Sequence, residues 1–183
     1  MEIKFSDELS QVIAWSRDEA QRTGWHNISI DHLILSAIRK SGSEARVLLE
    51  SIGVDIAGMK QWLDSFLMKE GFVPLSETDG IRLSDKAVSC LNLCIFEASR
   101  YGMAEADTRA LLLAAARTPG CLTREYLASK GVDTARISAE MKASIPDRTE
   151  NDYSQPDDKM TELLERGLGM LLSRSKVPGG TCS

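Results

Sequence analysis

The chain has 183 residues, 43% of them hydrophobic, 27% charged and 5% aromatic. That is enough for one large domain or two small ones whose core needs no disulfide or metal staple. A formal net charge of −5, from 22 Lys+Arg against 27 Asp+Glu, argues against nucleic-acid backbone binding, and no apolar run approaches the roughly 18–20 residues of a membrane span.

In chain order, Ser6 stands where a cap is needed for a helix whose apolar positions Leu9, Val12, Ile13 and Ala20 follow the helical period. Gly24 falls where that helix should stop. Asp31 is expected to open a second helix carrying Leu33, Ile34, Leu35 and Ile38, closed by Gly42. A third covers 44–51 with Ala45, Leu48 and Leu49 inward. Gly53-Val54-Asp55 makes a turn whose aspartate caps a fourth helix through Met59, Trp62, Leu63 and Phe66, with Trp62 and Phe66 expected on its inner face. Residues 69–82, with Gly71, Pro74 and Gly80, read as an ordinary connection.

Beyond that connection the pattern repeats. At an offset of 78 residues, segment 5–67 aligns with 83–145 without a gap. Ser6-Asp7 falls on Ser84-Asp85, Glu19-Ala20 on Glu97-Ala98, and Arg22 and Gly24 on Arg100 and Gly102. Leu33, Leu35, Ala37 and Arg39 match Leu111, Leu113, Ala115 and Arg117. Gly42 and Arg46 match Gly120 and Arg124, and Gly53-Val54-Asp55 matches Gly131-Val132-Asp133. A register that holds through several helices and their turns marks a tandem duplication. No period-2 strand is evident. The expected fold is all-α: two four-helix repeats (1–68 and 83–145) packed face to face as one pseudo-twofold domain, joined by the connector 69–82.

After residue 145 the composition changes. Residues 146–156 are polar and bounded by prolines, and read as a linker. In 157–175 the residues Met160, Leu163, Leu164, Leu168, Leu171 and Leu172 form one apolar stripe at i, i+3, i+4 spacing. This amphipathic helix is expected to bury its stripe against its own domain, or against a neighbouring chain in a homodimer. Residues 176–183 read as a tail.

Each repeat thus has a Ser-capped helix ending in Ala-x-x-x-Gly and, later, a Leu-x-x-x-Gly-Val-Asp turn. The first also carries Ile30-Asp31-His32-Leu33-Ile34-Leu35. Over about residues 5–145 this resembles the amino-terminal double-repeat domain of the Clp unfoldases, ring-forming ATPases that feed a protease or disaggregate proteins; the family's Glu-His-Leu-Leu-Leu signature has Asp in place of Glu. The resemblance implies a non-catalytic module that captures substrates and adaptor proteins. It implies protein partners (Clp-type unfoldase or protease subunits, adaptors or unfolded clients) and no cofactor. In some members the acidic residue before the signature His, in both repeats, takes part in recognising phosphorylated arginine. The matching positions are Asp31 and Arg109, and His32 is matched by Ala110. Charge is kept at the first and reversed at the second. The family's phosphate loop, G-x-x-x-x-G-K-[S/T], does not occur in the chain. The chain is therefore a stand-alone relative or the regulatory portion of a longer unfoldase; a helical enzyme or regulator reusing the fold is a further alternative.

The expected binding surface lies near Trp25, His26, Ile30, Asp31 and His32, with Thr108 and Arg109 in the equivalent groove of the second repeat. Trp25, in the turn after the first helix, either anchors a partner or closes the domain edge. Of the two histidines, His26 is expected to be exposed and His32 to make a structural hydrogen bond rather than serve a catalytic triad. No metal site is expected: Cys90 and Cys94 are i, i+4 on a helix, but no second cysteine pair or zinc-spaced histidine accompanies them. Cys90 is expected to face inward and Cys94 to be a borderline packing position. The amino terminus lacks a signal-peptide layout, so the four cysteines, including Cys121 and Cys182, read as reduced thiols in a cytoplasmic setting.

Overall fold

Ser6 adopts an extended conformation and its hydroxyl accepts a hydrogen bond from the Leu9 N–H, so a helix starts at the next residue. In the computed structural model, which describes residues 2–146, that helix is α1 (Asp7–Thr23). It ends at Gly24, whose φ of 85° places it in the left-handed region. A side chain at Gly24 would also collide with the Gly71 carbonyl oxygen. There follow α2 (Ile30–Arg39), α3 (Glu44–Ser51) and α4 (Ile56–Leu67). The second copy contributes α5 (Asp85–Arg100), α6 (Thr108–Arg117), α7 (Leu122–Ser129) and α8 (Thr134–Ser144). Ser84 and Asp133 cap α5 and α8, bonding the N–H groups of Ala87 and Arg136, whereas Asp55, expected to cap α4, stands at the cap position without a side-chain cap bond.

The centre of the domain is the pair α2 and α6. Nearly every residue of both is buried; Leu33, Ile34, Leu35, Leu111, Leu112 and Leu113 are wholly inaccessible. A helix apolar on all sides needs cover on all sides. α1 covers α2 and α5 covers α6. Further cover comes from α4 on α2 and from α7 and α8 on α6 within each copy, and part is exchanged between copies: α3 packs on α6 and α8, while α7 packs on α2 and α4. The repeats therefore interlock rather than meet across flat faces.

Four features depart from the sequence expectation. First, the chain does form strands, each only two residues long: β1 (Lys4–Phe5), β2 (Asn27–Ile28), β3 (Arg82–Leu83) and β4 (Glu105–Ala106). β1 pairs in parallel with β4, and β2 with β3. Each repeat's entry strand thus pairs with the other repeat, an arrangement with the same pseudo-twofold symmetry as the helices. Two residues are too few for a period-2 pattern to register. Second, the connector contains a 3₁₀ turn (Leu75–Gly80) as well as β3. Third, Phe66 points outward and is 58% exposed. Trp62 is only half-buried, tilted against Phe66 and against Tyr126 of α7, with ring centroids 4.6 and 5.3 Å away. Fourth, Cys94 is fully buried, as is Ser16 at the equivalent position.

Among the described residues no helix is long and apolar enough to cross a membrane. The linker beyond Pro146 and the stripe Met160, Leu163, Leu164, Leu168, Leu171 and Leu172 lie outside the described residues.

Candidate functional site

The residues singled out around positions 25–32 begin with the α1–α2 turn. Trp25 lies flat under Lys69, whose ammonium is 3.6 Å from the ring centroid, and its indole N–H donates to the Leu67 carbonyl at 2.7 Å. Its ring meets the edge of His32, centroid to centroid 6.4 Å. Trp25 is thus half-buried and held by Leu67 and Lys69 at the end of α4. His26 is exposed and pairs with Glu77 of the 3₁₀ turn at 2.9 Å.

α2 starts at Ile30, one residue before the Asp31 expected to open it, and Ser29 is its cap. The Ser29 hydroxyl accepts from the His32 N–H, and the Ser29 N–H donates to His32 Nδ1 at 3.0 Å, a capping box with an imidazole in the role usual for Glu or Gln. His32 Nε2 lies 2.9 Å from Thr23 Oγ1, whose own hydrogen goes to the Glu19 carbonyl. His32 therefore donates from Nε2 and accepts at Nδ1, the pattern of a neutral ring. Burial pushes its pKa down from 6.5 to about 4, with the positive charge of Arg22 acting in the same direction. Between these two values the unfolded chain binds a proton that the folded chain does not, so stability rises with pH across the window and falls on acidification from pH 6.5 to 4. At about 1.4 kcal/mol per pH unit, His32 alone removes up to about 3 kcal/mol by the low end. Urea midpoints measured from pH 7 to pH 4 for wild type and His32→Gln should show this slope in the wild type and its reduction in the variant.

Asp31, released from capping its own helix, serves another. Its carboxylate is buried and accepts from the Leu122 N–H at 3.1 Å, the Thr123 N–H at 2.8 Å and the Thr123 hydroxyl at 2.8 Å. These are the first groups of α7, in the other repeat. The α7 cap, Cys121, makes no side-chain cap bond, and its thiol donates to the Ala115 carbonyl at 3.1 Å. Its counterpart Ser43 donates to the Ala37 carbonyl and also accepts from Arg46 N–H. The carboxylate is called for by the helix start itself: the N–H groups of Leu122 and Thr123 have no partner within α7, and their partial positive charge favours an anion.

The equivalent point on the other side is built differently. Position 109 is arginine and cannot accept. There Glu8 of α1 takes the carboxylate's place: its Oε2 accepts from the Glu44 N–H at 3.2 Å and from the buried Thr108 hydroxyl at 2.8 Å. Thr108 in turn accepts from the Ala45 N–H at 2.9 Å. Glu44 and Ala45 are the repeat partners of Leu122 and Thr123. Arg109 folds back onto Asp107, with Nη2 to Oδ2 at 2.6 Å, and donates to the Ser144 carbonyl and hydroxyl. The duplication has kept a carboxylate at each helix start while changing which element supplies it.

The sequence-selected residues therefore do not form one surface. Ile30, Asp31, His32 and Thr108 are interior; Trp25 and Arg109 are partly covered and bonded within the chain; His26 alone is open. Charged clusters at matched positions recur in both repeats. Glu97 is about 1% exposed between Arg100 and Arg117, at 3.3 and 2.9 Å. Glu19 repeats this with Arg22 and Arg39, at 2.8 and 2.9 Å, where Asp64 joins as a second carboxylate.

The described cysteines, Cys90, Cys94 and Cys121, are free and buried. Burial pushes all three thiols up, Cys90 to about 12, so they are protonated and poor metal ligands. Among the described residues no group of three or more His, Cys, Asp or Glu is placed to hold a metal.

Two surface cavities lie where sequence reasoning did not look. One of about 420 Å³ is lined by Ile13, Arg17, Ile28, Ile81, Arg82 and Leu83; the other, of about 350 Å³, lies between α7 and the start of α8. The run Ile81-Arg82-Leu83 carries an alternating signal, but it is three residues long and its partners lie more than 50 positions away.

Fold and geometry together define a helical double-repeat domain whose most deeply placed charges hold its own helices in place. The family model for the Clp repeat (R) N-terminal domain matches residues 4–128, and the chain belongs to this family. Among curated relatives, the chaperone protein ClpB of Oceanobacillus iheyensis is 26% identical over 129 residues, which is 70% of this chain and 16% of that protein. The chain thus spans about one-sixth of the length of that relative. Among solved structures, the N-domain of ClpV from Vibrio cholerae superposes with a TM-score of 0.65 at 15% identity, covering 76% of this chain and 84% of that one. A complex of the ClpV N-domain with VipB peptide gives 0.61 at 16% identity, covering 75% and 88%.

Proposed function

We propose that this chain is a non-catalytic protein-binding module of Clp-type ATP-dependent proteolysis or chaperone machinery, recruiting substrates or adaptor proteins. Membership of the Clp repeat family across residues 4–128 is the observation that carries this reading. A structural neighbour that was solved with a peptide of another protein supports it. The internal commitments of Asp31 and Arg109 favour recognition of partner side chains by shape and charge over capture of phosphorylated arginine at those two positions. A soluble, cytoplasmic setting with reduced cysteines suits such a module, and the sequence of the apolar stripe at 160–172 suits docking or homodimer formation.

A second reading is favoured by length: a match that covers only 16% of a longer relative fits the amino-terminal regulatory portion of an unfoldase. The reading frame downstream of Ser183 separates the two, since an unfoldase requires a phosphate loop there. For either, immobilised full chain should enrich a Clp-type unfoldase, a protease subunit, an adaptor or an unfolded client from lysate. Enrichment of none of these would overturn the proposal. Light scattering on the full chain and on a truncation after Ile145 tests the dimer: a monomer in both removes it.

A further inference from the structure

The cavity between α1 and the β2–β3 pair takes no part in the internal anchoring described above. Ile28 and Ile81, both buried, form its floor; Ile13 and Leu83, half-buried, form its walls. Arg17 and Arg82 stand exposed at its rim, and no acidic side chain lines it. Among the described residues neither guanidinium forms an ion pair. The Arg82 guanidinium donates to the neutral carbonyl of Asp79, at 2.8 Å.

This arrangement is not inherited from the duplication. The positions equivalent to Ile13, Arg17 and Arg82 are Leu91, Ile95 and Lys4, so paired guanidiniums flank an apolar slot on one side of the pseudo-twofold only. The contrast with the rest of the molecule matters too. On a chain of net charge −5, an acidic partner is repelled by the average surface and drawn to the few places where cations are grouped. Apolar walls supply affinity through burial, while guanidiniums at the rim add sign selectivity and match carboxylates in a planar, two-pronged geometry.

We infer that this groove takes an acidic segment of a partner protein, in which leucine- or isoleucine-sized side chains enter the slot and Asp or Glu side chains meet Arg17 and Arg82. The inference rests on the protein-binding reading above and names the chemistry of the partner.

Isothermal titration of the full chain with three synthetic peptides tests it. The peptides share the same leucines and differ only in carrying Glu, Gln or Lys between them. The Glu peptide should bind roughly three- to thirtyfold more tightly than the Gln peptide, the range for two solvent-exposed charge pairs. The Lys peptide should bind most weakly, and the differences should shrink at about 0.5 M salt. The double variant Arg17→Glu/Arg82→Glu should reverse the order, and both positions are exposed, so its thermal midpoint should stay close to wild type. Should it fail to fold, Arg17→Gln and Arg82→Gln singly must each weaken the Glu peptide by about two- to fivefold. Equal binding of the Glu and Lys peptides, no binding of any, or an unchanged order in the double variant overturns the inference. Lysate capture keeps the two readings apart: retention of Clp-type partners by the double variant removes the groove but leaves the module.

Discussion

Asp31→Ala is expected to lower unfolding stability by about 2–4 kcal/mol in urea titration, although the substitution removes only a short side chain at the start of a helix. The expectation follows from what the carboxylate does. It receives two backbone N–H groups and one hydroxyl from α7, all buried or nearly so. Removal leaves these donors without partners in a place water reaches poorly, and charged hydrogen bonds cost more to lose than neutral ones. The cap residue of α7 offers no substitute, since Cys121 makes no side-chain cap bond. Hydrogen exchange should localise the damage, with the amides of Leu122 and Thr123 losing more protection than those of Glu44 and Ala45. Glu8→Ala should give the mirror result at α3. The two losses should add, because they concern different helices with no shared partner. Equal exchange at both helix starts in Asp31→Ala would refute the cross-repeat anchor.

A second large effect is expected at Glu97, and it comes with a control written into the duplication. Glu97→Ala should cost about 2–4 kcal/mol, because a buried carboxylate that holds Arg100 and Arg117 is replaced by a small cavity with the two cations left facing it. Glu19→Ala at the equivalent position should cost about half as much. There Asp64 already contacts both Arg22 and Arg39, so the arginines keep a carboxylate. The residue matching Asp64 in the second copy is Lys142, which offers none. Denaturation midpoints of the two single variants under one condition decide the matter. A Glu19 variant as unstable as the Glu97 variant would show that Asp64 does not substitute.

These two cases show which parts of the candidate site were legible. Glu19, Arg22 and Arg39 recur at Glu97, Arg100 and Arg117, so the ion-pair clusters announce themselves as matched positions in the alignment. The Asp31 anchor does not, because its partner is some 90 residues away and its repeat equivalent is an arginine. Asp31 in fact looks like an ordinary helix-opening aspartate, which is how local chemistry reads it. The capping box hides its identity for a related reason: Ser29 and His32 are at the right spacing, but histidine is an uncommon third-position partner. Phe66 lies three residues after the buried Leu63 and is nonetheless exposed, the last turn of α4 burying Leu67 instead.

From the sequence alone come the duplication, the eight helices and the αL glycines that end or separate several of them. Periodicity, capping and left-handed backbone are properties of a few consecutive residues, and the in-register repeat doubles the signal at each point. The family follows from the same local strings. Tertiary structure alone decided how the copies interlock through dipeptide strands and exchanged helices, where Asp31 and Glu8 direct their carboxylates, and that Arg17 and Arg82 share a groove. Each of these depends on residues distant in sequence being brought together by the burial of α2 and α6. Side chains pointing into that shared space are chosen by their neighbours in three dimensions, for which no run of adjacent residues carries a record.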